Sequence, residues 1–182
     1  MTKFDLHTIE TAPEGSKLVL EQLQKQNGMV HNLYAVMAEA PEVLKSYLQL
    51  GQIINQTSFN SIEKNIIWLT INYTNNCHYC MAIHTLIANK QKVPENIVKA
   101  LRKNEPINDP KLETVRKFTV SMVDKKGWVS EEELNNFISA GYSKKHVLEL
   151  VLMIAQKTIS NYVNHIADTP LDKISKPYEW KK

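Results

Sequence analysis

Apolar positions recur along the chain at the three-to-four-residue spacing of helices, with capping signals between one run and the next. The clearest run spans residues 111–125, where Leu112, Val115, Phe118, Thr119, Met122 and Val123 fall on one stripe that Gly127 ends. Thr11-x-x-Glu14 predicts a capping box that opens a helix over about 13–27, closed near Gly28. A segment of about 32–40 sets Leu33, Val36, Met37 and Ala40 on one face. Pro41 suits the first turn of a helix to about 55 that carries Val43, Leu44, Tyr47, Leu48 and Leu50.

Asn60 caps a further helix with Glu63 at its third position. The stretch Ile66-Ile67-Trp68-Leu69-Thr70-Ile71 could be a buried strand, but the cap and the segment's length favour helix. Asn75-Asn76 marks a break, followed by a helix from Cys77 to about Lys90, and Pro94 starts one ending near Asn104. Ser130-x-x-Glu133 opens a short helix to about Ala140, stopped by Gly141. Ser143 caps a long one to about Ile166, ended by Asp168-Thr169-Pro170. The polar tail beyond Leu171 is expected to wrap a neighbour through Tyr178 and Trp180. No Asn-Gly or Asp-Gly turn lies between two strand-like runs and no long linker interrupts the chain, so the fold expected is all-α, one domain over 1–182.

Composition narrows the function more than the fold. Of 182 residues 43% are apolar and 23% charged, ordinary for a globular chain, and the net charge of +3 is scattered rather than blocked. Nucleic acid and anionic membrane are therefore not expected partners. The first residues carry Asp5, Glu10 and Glu14 without an apolar core, unlike a signal peptide, and no run approaches the ~18 apolar residues of a membrane span. A cytoplasmic protein is expected, in a compartment where structural disulfides are rare.

That setting makes the only two cysteines informative, because they lie three residues apart. On a helix with Cys77 at 0°, Cys80 lies near 300° and His84 near 340°, so all three share one face. Cysteines at i and i+3 at a helix start can form a disulfide. A thiol there also feels the positive helix end, which favours thiolate and points to Cys77 as the more acidic. An imidazole one turn on can move the proton. The same residues admit other readings: a zinc site completed by His78 or His165, two buried apolar cysteines, or a structural His84 beside a working thiol pair. The methionines sit among apolar neighbours, and no phosphate-binding glycine loop is present, so no cofactor or metal is expected.

The segment IEKNIIWLTINYTNNCHYCMAIHT, an apolar helix, a polar break and then C-x-x-C-x-x-x-H, resembles the active-site helix of the alkylhydroperoxidase AhpD-like and carboxymuconolactone decarboxylase superfamily. Looser similarity extends over Thr11–Ser46 and Ala140–Thr169. The resemblance implies an all-α AhpD-like fold that assembles as trimers or hexamers. It implies a thiol peroxidase in antioxidant defence, in which Cys80 attacks the hydroperoxide, Cys77 resolves the sulfenic acid and His84 serves a proton relay. A lipoyl or thioredoxin-like dithiol would be the reductant. The superfamily's decarboxylases lack the cysteine pair; a lyase of that kind, or a non-catalytic redox-sensing or metal-binding oligomer, is the alternative. The relay's usual Glu, twelve residues before the first cysteine, is Asn65 here, which leaves Glu63 as the nearby carboxylate.

Glu149, Asn161, Asn164, Asp168 and Thr169 stand at the offsets of Asn65, Cys77, Cys80, His84 and Thr85. This spacing reads as an internal duplication packed about a pseudo-twofold axis. On that reading Glu149 or His165 could supply the missing acid.

Overall fold

In the computed structural model, which describes residues 4–182, Asn60 and Glu63 close a reciprocal capping box. The Glu63 amide donates to Asn60 Oδ1 and the Asn60 amide to Glu63 Oε2, each at 2.9 Å. The box opens a helix, Ser61–Thr74, that is the fourth of nine among the described residues. The others are α1 (Glu14–Asn27), α2 (Asn32–Met37), α3 (Pro41–Asn55), α5 (His78–Lys90), α6 (Glu95–Lys103), α7 (Pro110–Asp124), α8 (Glu131–Ser139) and α9 (Lys144–Ala167). A 3-10 turn, Lys176–Tyr178, follows, and the described residues contain no strand.

The helix Ser61–Thr74, α4, packs against α5, α6, α7 and α9. Its Ile66, Ile67, Leu69 and Ile71 are fully buried, which explains an apolar stretch without a polar face: a helix enclosed by neighbours has none to spare for water. Around it lies the larger part of the core, where Phe118, Phe137 and Tyr142 stack at 4.3 and 4.5 Å. A second apolar cluster, built by Leu20, Leu33, Met37, Leu44 and Tyr47 of α1–α3, holds Cys77, Tyr79 and Cys80. α9 touches α2, α3, α4 and α5 and so joins the two clusters. The cysteines thus sit in the second cluster, at the start of a helix whose Met81 and Ala88 belong to the first.

Most helix ends fall where capping chemistry puts them, including the Ser130–Glu133 box and the left-handed Gly28 (φ 74°) that ends α1. One box does not form. Helix α1 begins after Pro13, and Thr11 Oγ1 accepts the Thr8 amide instead, because it lies two residues too early to reach the helix's free amides. The tail also differs from expectation. Trp180 is buried against Tyr73 and His78 of its own chain, and its Nε1 donates to Arg102 O at 2.8 Å. An indole buried in its own fold has little surface to offer a neighbour. No helix among the described residues is long and apolar enough to cross a membrane.

Candidate active site

The break before the cysteines is built from asparagines. Asn75 ends α4, Asn76 takes a left-handed turn (φ 53°), and the Cys77 amide donates back to Asn72 O at 2.9 Å. Asparagine tolerates that backbone region better than most residues. The turn leaves Cys77 as the N-cap of α5 and Cys80 in its first turn, with His84 one turn further. Both thiols are free and each is 1% exposed. Tyr79, between them, is fixed by donating to the buried Asp172 at 2.6 Å; His31 and the Asn32 amide also bond that carboxylate. These contacts hold Asp172 ionised below the usual carboxylate range, although burial alone would raise it.

α9 lies across this face. Asn164 Nδ2 donates to Cys80 Sγ at 3.2 Å, and Ser160 Oγ stands 3.9 Å from the same sulfur. Asn161 ties the helices together, donating to Asn72 Oδ1 at 3.1 Å and accepting from Asn75 Nδ2 at 2.8 Å. Burial would push the Cys80 thiol up, but the Cys77 S–H, the Lys157 ammonium, Ser160 and Asn161 together bring it down to about 5. Cys77 is pushed up in turn, by its hydrogen bond to Cys80 and by burial. The pair therefore holds one thiolate and one thiol, with the thiolate on Cys80. Helix position alone points to Cys77; the Cys77 S–H, with Lys157, Ser160 and Asn161 on α9, reverses that order.

His84 is buried, its ring 5.3 Å from Trp68, and its Nε2 lies 3.0 Å from Lys157 Nζ. Burial and the adjacent lysine hold it well below the ordinary histidine range, so the ring is neutral. Lys157 itself is 1% exposed. Nothing in the sequence reading singled it out. The signal was the stripe Met153, Lys157, Ser160, Asn161 and Asn164, a lysine on the one face of α9 that is otherwise buried.

The carboxylates expected nearby are elsewhere. Glu63 spends Oε2 on the Asn60 cap and accepts from Tyr142 OH through Oε1 at 2.9 Å. It stands nine residues, about 13 Å of helix, before the Asn72 that bonds the Cys80 carbonyl. Asn65 donates to Gln91 and to Ser61 O. Glu149 accepts from the Ser58 amide and hydroxyl and pairs with Lys145, so it anchors the loop before α4. His165 is exposed and stacks on Tyr162; His78 Nδ1 lies 2.9 Å from Trp180 O. Among the described residues no three His, Cys, Asp or Glu side chains converge as metal ligands.

Two cavities flank the pair. One, of about 460 Å³, is lined by Tyr34, Tyr47, Trp68, Tyr79, His84 and Gln156 among others, with no carboxylate, lysine or arginine among its described lining residues. Tyr47 lies close enough to Cys80 that, after burial, the thiolate's charge is what most opposes its ionisation. The other, of about 450 Å³, opens on the opposite cysteine and is lined by Asn76, Cys77, His165, Asp168 and Thr169.

No family model and no curated protein matches the chain by sequence. Solved structures do match in shape. An uncharacterized peroxidase-related protein from Ralstonia eutropha JMP134, described as an alkylhydroperoxidase AhpD core, superposes with a TM-score of 0.84 at 14% identity over 95% of this chain and 93% of that one. A peroxidase-related protein from Silicibacter sp. TM1040 gives 0.79 at 15% identity over 97% and 92%. The debrominase Bmp8, in complex with 2,3,4-tribromopyrrole, gives 0.79 at 16% identity over 98% and 96%. With superpositions of this quality over nearly the whole chain, this protein has the alkylhydroperoxidase AhpD-like fold.

Proposed function

We propose that the protein is a thiol peroxidase of the AhpD-like type, reducing hydroperoxides through a Cys77–Cys80 dithiol/disulfide cycle in antioxidant defence. The observation that carries this reading is the split pair: a thiolate on Cys80, bonded by Asn164, beside a neutral thiol on Cys77. The thiolate attacks the distal peroxide oxygen; an S–O bond forms, the O–O bond breaks and the alcohol leaves with a proton. Cys77 then displaces the sulfenic hydroxyl as water and the disulfide closes. A lipoyl or thioredoxin-like dithiol reduces it, attacking Cys77 from the second cavity because Cys80 is the better leaving thiolate.

Self-association belongs to the same proposal. Leu148, Val151, Tyr162 and Ile166 are exposed along α9, an apolar stripe suited to another copy of this chain in a trimer or hexamer. A second reading draws on the charge-free, aromatic lining of the larger cavity, which suits a flat halogenated ring. There the thiolate would take the halogen, the ring carbon a proton, and Cys77 would release halide as the disulfide forms.

Hydroperoxide consumption with a dihydrolipoyl or thioredoxin donor, on wild type and Cys80→Ser, tests the first reading. The expected result is consumption that Cys80→Ser abolishes; activity surviving in that variant rejects it. Bromide release from a bromopyrrole with no hydroperoxide turnover would favour the second.

A further inference from the structure

We propose that Lys157 supplies the proton that departs with the substrate, passing it through His84 to the oxygen expelled when Cys80 attacks a hydroperoxide. This deepens the peroxidase reading and rests on it.

A lysine enclosed in a core ordinarily faces a carboxylate. Lys157 has none within ion-pair distance among the described residues, and the partner of its Nζ is His84 Nε2 at 3.0 Å. An ammonium only donates, so Nε2 accepts and the neutral ring carries its own proton on Nδ1. That Nδ1 is buried and has no partner among the described residues. The indole Nε1 of Trp68, whose ring lies 5.3 Å from His84, is likewise buried and unpartnered. Both residues line the larger cavity. Two enclosed N–H groups without an acceptor mark the place where a bound molecule brings an oxygen.

The register of the helices puts this relay beside the sulfur. Along α9, Lys157, Ser160 and Asn164 lie on one face, and the last two approach Cys80 Sγ. Along α5, His84 follows Cys80 by one turn. Lys157 meets His84 while Ser160 and Asn164 meet Cys80, so ammonium and thiolate occupy adjoining turns of one interface.

The step balances. Sulfur gains the hydroxyl oxygen, the O–O electron pair leaves with the alkoxide, His84 Nδ1–H protonates it, and Lys157 re-protonates the ring at Nε2. Thiolate and ammonium are consumed together, leaving a sulfenic acid and an amine, so no net charge remains in the low-dielectric interior at either end. When a dithiol later reduces the disulfide, one of its two protons returns to Cys77 and the other to Lys157.

The distinguishing measurement varies the leaving group. Single-turnover oxidation of the reduced protein is followed by loss of free thiol with tert-butyl hydroperoxide, which expels a basic alkoxide, and with peracetic acid, whose carboxylate needs no proton. Rates are divided by the thiolate fraction from alkylation at the same pH. In Lys157→Met, and in Lys157→Arg, which keeps the charge but does not release a proton, the ratio of the two rates is expected to fall about 100-fold. An unchanged ratio in either variant, even with both rates lowered, overturns the relay and leaves Lys157 as a charge alone. Wild type in heavy water removes dependence on the variants' folding: a larger isotope effect on the alkyl hydroperoxide supports the relay, and equal effects contradict it. Wild type inert to both oxidants rejects the peroxidase reading itself.

Discussion

Asn164 Nδ2 lies 3.2 Å from Cys80 Sγ, a side-chain amide on α9 aimed at a thiol in the first turn of α5. A hydrogen bond to a charged acceptor is worth about 1.5–3 kcal/mol, so Asn164→Leu should raise the Cys80 alkylation midpoint by about 1 to 2 pH units. Iodoacetamide alkylation against pH, read by mass spectrometry, checks this. An unmoved midpoint would mean that the amide does not hold the thiolate.

Stability should follow the same charge. The Cys80 thiol is held near 5 in the fold, against 9.0 as its ordinary value. A depressed acid stabilises the native state above its unfolded value and loses that contribution as pH falls toward the folded one. The difference in unfolding free energy between reduced wild type and Cys80→Ser should therefore grow from pH 5 to pH 9. Urea unfolding across that range measures it, and a flat difference argues against a native thiolate.

Glu63 should behave as a cap. Glu63→Gln is expected to lower stability by about 1 kcal/mol while the pH profile of thiol alkylation stays in place. A shifted profile would return Glu63 to the proton path despite its bonds to Asn60 and Tyr142.

Trp180 closes the tail over α5 and α6 of its own chain. Trp180→Ala should cost about 3 kcal/mol in chemical denaturation without changing assembly size. Val151→Asp, on the exposed stripe of α9, should instead reduce assembly size by light scattering and leave monomer stability within about 0.5 kcal/mol.

These outcomes separate what was legible in the chain from what was not. Caps, breaks and stripes are local, so Asn60, Asn75-Asn76 and Ser130 mark their helices within a few residues. The one-turn spacing of Cys80 and His84 on α5 follows from helical periodicity alone, whereas Cys77 sits at the extended N-cap before the helix. Which thiol ionises does not, because beside Cys77 it depends on Lys157, Ser160 and Asn161, more than seventy residues away and brought in by packing. Of the residues spaced like the two cysteines, Asn164 meets Cys80 across the α5–α9 interface and Asn161 meets Asn72 of α4. Thr11 misses the start of α1 by two residues, and Trp180 turns inward through a contact that only the folded chain brings together.

Cys80 is proposed here as the sulfur that attacks and Cys77 as the one that resolves. Mapping the first oxidation product by mass spectrometry after one equivalent of tert-butyl hydroperoxide tests it directly, with a sulfenic-acid trap present. Expected are a trapped sulfenic acid on Cys80 in Cys77→Ser, a Cys77–Cys80 disulfide in wild type, and no adduct in Cys80→Ser. A sulfenic acid on Cys77 in the Cys80→Ser protein, formed as fast as wild type oxidises, would contradict it.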